Sequence, residues 1–348
     1  MWMMMRHGTR YASENEIPIL LGLAKFRDQI LKNHIANRER VKQAFPELII
    51  KNPNDINSNS YVFRASNTAR TNETLISFTE GLFLKKGFIT PVATPESERI
   101  IEPYQNCFNW YNDYDSNHYN DESDKFIMTS EFQQLIKNVS SRLGFIRSLN
   151  FNEIYAIYTT CRYEVAWNPD QLSIWCMLFL FEEMKLMEYI EDLSYYYISG
   201  PGRKLSGQLG CHAVSDMFNH FEKVENDTLH DQPKGIFYFG HTLSIQILLA
   251  ALKINADEVP INASNYHTVD RKYRTSLQTP FSANLMAVFY KCEGENKPNK
   301  VIFYLCEKPL YVHYCNGQIC DWDELKKKFQ SDIDTCTIDV CDKKDQDQ

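Results

Sequence analysis

Two short apolar runs, each leading into a helix, constrain this chain more than any other feature. Gly235–Phe239 (GIFYF) is apolar without a break, as a strand covered on both faces must be, and Leu243–Lys253 follows as a helix. Tyr61–Ala65 is a second short strand. Ser66 or Asn67 can cap the helix after it, which runs from about Thr68 to Lys86 and ends at Gly87. Strands that feed directly into helices build open α/β sheets, where ligand groups collect at the strand-to-helix junctions. Leu285–Tyr290 and Val301–Leu305 add two later strands, read as a hairpin across the polar stretch Glu293–Lys300.

Between these signals the texture changes. From Pro91 to about Gly210 the chain is rich in aromatics, poor in glycine and patterned for helices, as in Ser130–Leu143 and Phe179–Tyr197. The division expected is therefore an α/β core made of residues 1–94 and 215–348, interrupted by a mainly helical insertion over 95–214. Near the start, Leu20, Leu23, Phe26, Ile30 and Ile35 predict a helix within Ile17–Phe45. Lys51–Ser60 reads as a loop, and Cys341–Gln348 as a polar, disordered tail.

Composition narrows the function classes. With 43% hydrophobic and 24% charged residues in 348, the chain is ordinary for a globular protein. Its longest apolar runs are far too short for a bilayer span. A net charge of -8 argues against a nucleic-acid partner but leaves an anionic small substrate open, since a local arginine cluster can bind one. Ten cysteines without a C-x-x-C pair predict no zinc site. The short separations Cys315/Cys320 and Cys336/Cys341 predict two small disulfide loops. Sequons at Asn72, Asn138, Asn226 and Asn262 point the same way, toward the secretory route. The opening MWMMM is not a signal peptide, and the strand that should carry the following motif is barely present, so an upstream segment with the signal is expected.

That motif is Arg6-His7-Gly8-Thr9-Arg10-Tyr11. A histidine can attack phosphorus and hold the phosphoryl group, dividing hydrolysis into two easier steps. The charge on the non-bridging oxygens needs fixed donors, and arginine forks match it best. Taken alone, Arg6-His7-Gly8 is equally well a basic surface turn. Arg70 begins the helix after Ala65, and Gly240-His241 sits where GIFYF meets its helix. Each alone reads more simply as structural. Together with Arg6, His7 and Arg10 they predict one anion pocket.

With these residues in view, the chain resembles the histidine phosphatases of the acid phosphatase and phytase branch, and within it the multiple inositol polyphosphate phosphatases. The resemblance covers nearly the whole chain. It runs through RHGTRY (Arg6–Tyr11), SNTARTNETLISFTEGLF (Ser66–Phe83) and Asn106-Cys107. It continues in IWC (Ile174–Cys176), MEYIEDLSYYYISGPG (Met187–Gly202), FGH (Phe239–His241) and RKYRTSLQTPFSANLMAVFYKCE (Arg271–Glu293). It implies an α/β fold: a histidine-phosphatase-like core sheet with helices on both faces, plus the helical insertion as a cap domain. It implies His7 as nucleophile and Arg6, Arg10, Arg70 and His241 as a phosphate clamp, with no metal or organic cofactor. The implied substrates are phosphorylated inositols, with bisphosphoglycerate as another phosphomonoester, and the implied location is secreted or in the endoplasmic reticulum lumen. Thr9 and the cations Arg162, Arg203 and Lys204 are further candidate substrate contacts.

Two positions depart from the family pattern. Ala12 replaces a proline that shapes the turn after the motif. Where relatives read His-Ala-Glu, with the glutamate as proton donor, this chain reads His241-Thr242-Leu243. Leucine cannot protonate a leaving alkoxide. Three readings stay open: an inositol polyphosphate phosphatase of reduced activity, a pseudophosphatase that binds phosphorylated ligands, and a broad-specificity acid phosphatase.

Overall fold

The computed structural model describes residues 1–8, 43–50, 55–56, 59–87, 89–91, 94–95, 98–115, 118–168, 170–227, 231–294, 298–337 and 339–342. The helix expected within Ile17–Phe45 lies almost wholly outside the described residues, as do Thr9, Arg10 and Ala12. The chain divides into two compact units.

The first unit comprises Met1–Trp110, Lys204–Ile254 and Gln278–Gln348. Among the described residues its sheet has seven strands: β1 (Trp2–Arg6), β2 (Tyr61–Ala65), β3 (Gly235–Gly240), β4 (Asn284–Tyr290), β5 (Lys300–Leu305), β6 (Lys308–Pro309) and β7 (Cys320–Asp321). They lie in the order β2-β3-β1-β4-β5-β6, with β7 also paired to β5. β2, β3 and β1 are parallel, and β4 and β5 form the expected antiparallel hairpin. The opening WMMM, barely a strand by its sequence, is the centre of the sheet: β1 pairs with β3 on one side and β4 on the other.

Side chains alternate across a strand, so β1 feeds two cores. Trp2 and Met4 join Tyr238, Leu248, Val214, Phe218 and Phe329 on one face, under the helices Lys204–Asn226, Thr242–Ala251 and Trp322–Asp334. Met3 and Met5 join Phe237, Phe239, Leu75, Phe78 and Leu82 on the other, under the helix Ala69–Phe83. Both faces are thus covered by helices, which explains why β1 and β3 carry no polar alternation. The polar tips of Trp2 and Tyr238 each donate to Asp216 Oδ2 at 2.9 Å, so their burial leaves no donor unmet.

The second unit comprises Tyr111–Arg203 and Asn255–Leu277, and its described elements are helical. No strand occurs among the described residues of 95–214. The compact units nevertheless break at Trp110/Tyr111 and Arg203/Lys204, inside the expected insertion, because the helix Lys204–Asn226 packs Val214 and Phe218 on the sheet. The unit also takes in a second stretch, whose Ile261 and Tyr273 complete its core. Arg271 pairs with Glu188 and Asp192 at 2.9 Å, and Arg274 with Glu188 at 2.7 Å. The first part of the RKYRTSLQTPF stretch is therefore bound up in holding this unit together.

Four disulfides join Cys107–Cys341, Cys161–Cys176, Cys211–Cys336 and Cys315–Cys320. The bridge expected between Cys336 and Cys341 is not formed. Ease of loop closure is a small effect beside helix docking. Cys336 follows the helix Trp322–Asp334, which packs Phe329 against Phe218 and so presents Cys336 to Cys211. Cys341 belongs to a short helix, Asp339–Asp342, docked at Cys107 and by Asn109, which donates to the Val340 carbonyl at 2.7 Å. The tail expected to be disordered from Cys341 is helical at Cys341 and Asp342; residues 343–348 lie outside the described residues. None of the described helices is long and apolar enough to cross a membrane.

Candidate active site

Register brings the strand ends together. Arg6 lies opposite Gly240 and Ala65 opposite Phe239, so the residues that follow β1, β2 and β3 share one edge of the sheet. His7 follows β1 and its N–H donates to the Gly240 carbonyl at 2.9 Å. Ser66 follows β2, Arg70 lies in the first turn of the helix Ala69–Phe83, and His241 links β3 to the helix Thr242–Ala251. All of these belong to the first unit.

Two buried histidines form the centre. The rings of His7 and His241 lie 5.2 Å apart, nearly edge to face. His7 Nδ1 is 2.7 Å from the Gly8 carbonyl, which can only accept, so Nδ1 carries the proton and Nε2 keeps a lone pair. Burial pushes the His7 imidazolium down to about 3; the Gly8 carbonyl opposes this, while Arg6, His241 and Arg70 add to it. His7 is thereby a neutral histidine even in acid.

The cations stand around it. The Arg6 guanidinium rests on the Phe281 ring, 4.4 Å from its centroid, and donates to the Thr279 carbonyl. Arg70 Nη2 lies 3.3 Å from His241 Nδ1, and on the other side of that ring Ser66 Oγ and Glu102 Oε1 each lie 3.1 Å from Nε2. The Gly8 N–H donates to Thr74 Oγ1 at 3.1 Å, which ties the motif to the Arg70 helix.

Arg6, His7, Arg70 and His241 are thus brought together within one unit. Arg162 and Arg203 belong to the helical unit, where Arg162 pairs with Glu191 over the Tyr158 ring and Arg203 donates to the Ile198 carbonyl at 3.1 Å. Lys204 opens the helix Lys204–Asn226. Leu243 is half-buried in the first turn of its helix. Sequence reasoning missed Ser66, Thr74 and Glu102. Ser66 had a signal, its place directly after β2; Glu102 had none, being in irregular chain.

Among the described residues, the one cluster with metal-ligand chemistry is Cys211, His212 and Cys336, and its two thiols are joined to each other. The site at the strand ends has instead the donors of an anion site.

Three parallel strands that bring arginines and two buried histidines, one of them neutral, together at their ends form an anion site of the kind a phosphate-ester hydrolase uses. Residues 32–305 match the histidine phosphatase superfamily (branch 2), and the chain belongs to that family. It is 29% identical over 384 residues to multiple inositol polyphosphate phosphatase 1 of Drosophila melanogaster, an alignment covering 96% of this chain and 79% of that protein. Its fold is similar to the phytase of D. castellii, with a TM-score of 0.75 at 17% identity, covering 99% and 81% of the two chains. It is also similar to Bifidobacterium longum multiple inositol polyphosphate phosphatase, solved in complex with inositol hexasulfate, with a TM-score of 0.72 at 13% identity over 95% and 92%.

Proposed function

We propose that the protein hydrolyses phosphate monoesters of inositol polyphosphates through a phosphohistidine on His7. The single observation that carries this reading is the state of His7. Its Nδ1 is committed to the Gly8 carbonyl and its pKa is pushed down to about 3, so Nε2 offers a free electron pair in acid and at neutrality. At pH 5 an ordinary histidine is only about 3% neutral, whereas His7 is about 99% neutral.

Attack by Nε2 on phosphorus forms the N–P bond and releases the inositol oxygen; water then cleaves the N–P bond and frees phosphate. Arg6 and Arg70, with Arg10 from the same motif, neutralise the charge on the transferring group, and His241 donates to it. Thr9, Arg162, Arg203 and Lys204 are proposed contacts to the other phosphates of a many-phosphated ring. The named substrates of the Drosophila and Bifidobacterium relatives support the choice of inositol polyphosphate. Four disulfides support a secreted or lumenal protein.

The test is phosphate release from inositol hexakisphosphate by the full chain and by His7→Ala, with mass spectrometry of the acid-labile phosphohistidine. Release that disappears with His7, and a phosphoryl group on His7, are expected. Undiminished release by His7→Ala refutes the mechanism. Leu243, at the family's acid position, favours a second reading, phosphate binding without turnover of alkyl esters, and the same assay separates it.

A further inference from the structure

We propose that His241, held by Glu102, delivers the proton to the leaving oxygen in place of the acid absent at Leu243. The inference rests on the phosphohistidine reading above and supplies the step which that reading leaves without a donor.

The geometry that points to it is two-sided. On one side, His241 Nε2 faces the Glu102 carboxylate at 3.1 Å and Ser66 Oγ at 3.1 Å. On the other, His241 Nδ1 accepts from Arg70 Nη2 at 3.3 Å, and the ring lies 5.2 Å from that of His7. Glu102 is buried, and the Tyr104 hydroxyl donates to the same Oε1 at 3.0 Å. Burial alone would push its carboxyl up, but the hydrogen bond and charge of His241, with Tyr104, outweigh that and hold it below the usual range. Glu102 is thus an anion, aimed at one nitrogen of a ring whose other nitrogen lies against Arg70 of the anion site.

The loop that carries Glu102 is fixed. The N–H groups of Ile100 and Ile101 donate to the Glu98 carboxylate at 2.6 and 2.9 Å. Ile101 is fully buried against Gly240, where a Cβ would lie 2.8 Å from its Cγ2. A carboxylate held this firmly behind an imidazole selects its orientation and stabilises its charged form, which is what a proton donor requires.

In the substrate complex Arg70 turns its donors to the phosphate and gives up Nδ1; the ring then has an anion on each side, Glu102 at Nε2 and the phosphate at Nδ1, and carries a proton on both nitrogens. His7 Nε2 attacks phosphorus, the bond to the inositol oxygen breaks, and that oxygen takes the Nδ1 proton and leaves as an alcohol. His241 is then neutral, its Nε2–H still donating to Glu102. In the second half, water attacks the phosphohistidine, its proton returns to Nδ1, and phosphate leaves. His241 would be the catalytic residue and Glu102 the positioning residue.

The test compares the full chain, Glu102→Gln and the double variant Glu102→Gln/Leu243→Glu on two substrates. Inositol hexakisphosphate has an alkoxide leaving group that needs a proton, and nitrophenyl phosphate has one that scarcely does. We expect Glu102→Gln to lower kcat on inositol hexakisphosphate by about 10²–10⁴-fold with KM little changed. Nitrophenyl phosphate should lose less than about tenfold, and the double variant should recover much of the inositol activity. Equal loss on both substrates, no loss on inositol hexakisphosphate, or no recovery overturns the proposal. If Glu102→Gln does not fold, Glu102→Asp is expected to show the same leaving-group selectivity at smaller size, and its absence overturns the proposal too. Wild-type turnover of nitrophenyl phosphate alone sinks the proton donor and leaves the His7 chemistry standing. Release from neither substrate sinks both.

Discussion

Acid is a direct probe of the buried His7. His7 is 4% exposed, and its pKa falls from an ordinary 6.5 to about 3 in the folded protein. The sign follows from proton counting. Between pH 6.5 and 3 the unfolded chain binds a proton at this position and the folded chain does not, so acid favours unfolding. The contribution is fully present above the unfolded value and is lost as the pH falls toward the folded one. Moving from pH 8 to pH 4 should cost about 3 kcal/mol through His7 alone. Denaturant unfolding of the full chain and of His7→Asn at both pH values, with disulfides intact, isolates this term. The stability of the wild type should drop by about 3 kcal/mol more than that of His7→Asn. Parallel losses in the two proteins, within about 0.5 kcal/mol, would mean that His7 titrates as an ordinary histidine and would remove the argument for a neutral nucleophile in acid.

Three further outcomes are expected. Gly240→Ala puts a Cβ 2.6 Å from Ser244 Oγ and 2.8 Å from Ile101 Cγ2, which should cost about 1–3 kcal/mol in unfolding experiments and weaken phosphate binding, since the His241 junction must shift. Cys211→Ala opens a loop of sequence separation 125, worth about 5 kcal/mol of chain entropy, against about 2 kcal/mol for the separation of 5 closed by Cys315–Cys320. Thermal unfolding of the two single variants should rank them in that order. Leu243→Glu in the otherwise intact chain should raise turnover of inositol hexakisphosphate by less than about tenfold if a proton donor is already in place, and by more if not.

What the sequence made legible follows from the range of the interactions. β2 and β3 announced themselves because each is a local apolar run flowing into its own helix, and Arg70 and His241 came with them. β1 did not: five residues of mostly methionine carry no β-branched pattern, and only pairing with β3 and β4 makes them a strand. The cysteine pairs failed for a related reason. Cys336 and Cys341 are close in sequence, but their partners are chosen by helix packing around Phe218 and Phe329, which no spacing rule contains. Glu102 was out of reach for the same cause, being delivered to His241 by a loop whose course depends on Ile101 finding Gly240.

The position of β1 also fixes when the site can come into being. The strand that carries His7 is made long before β3 and β4, its pairing partners among the described residues. Until then an apolar strand with two open edges must wait, and pairings so distant in sequence are slow to form. Activity should therefore appear during synthesis only after Tyr290 has cleared the ribosomal exit tunnel. A nascent chain stopped short of that point holds His7, Arg6, Arg10 and Arg70, and lacks the sheet centre to set them in.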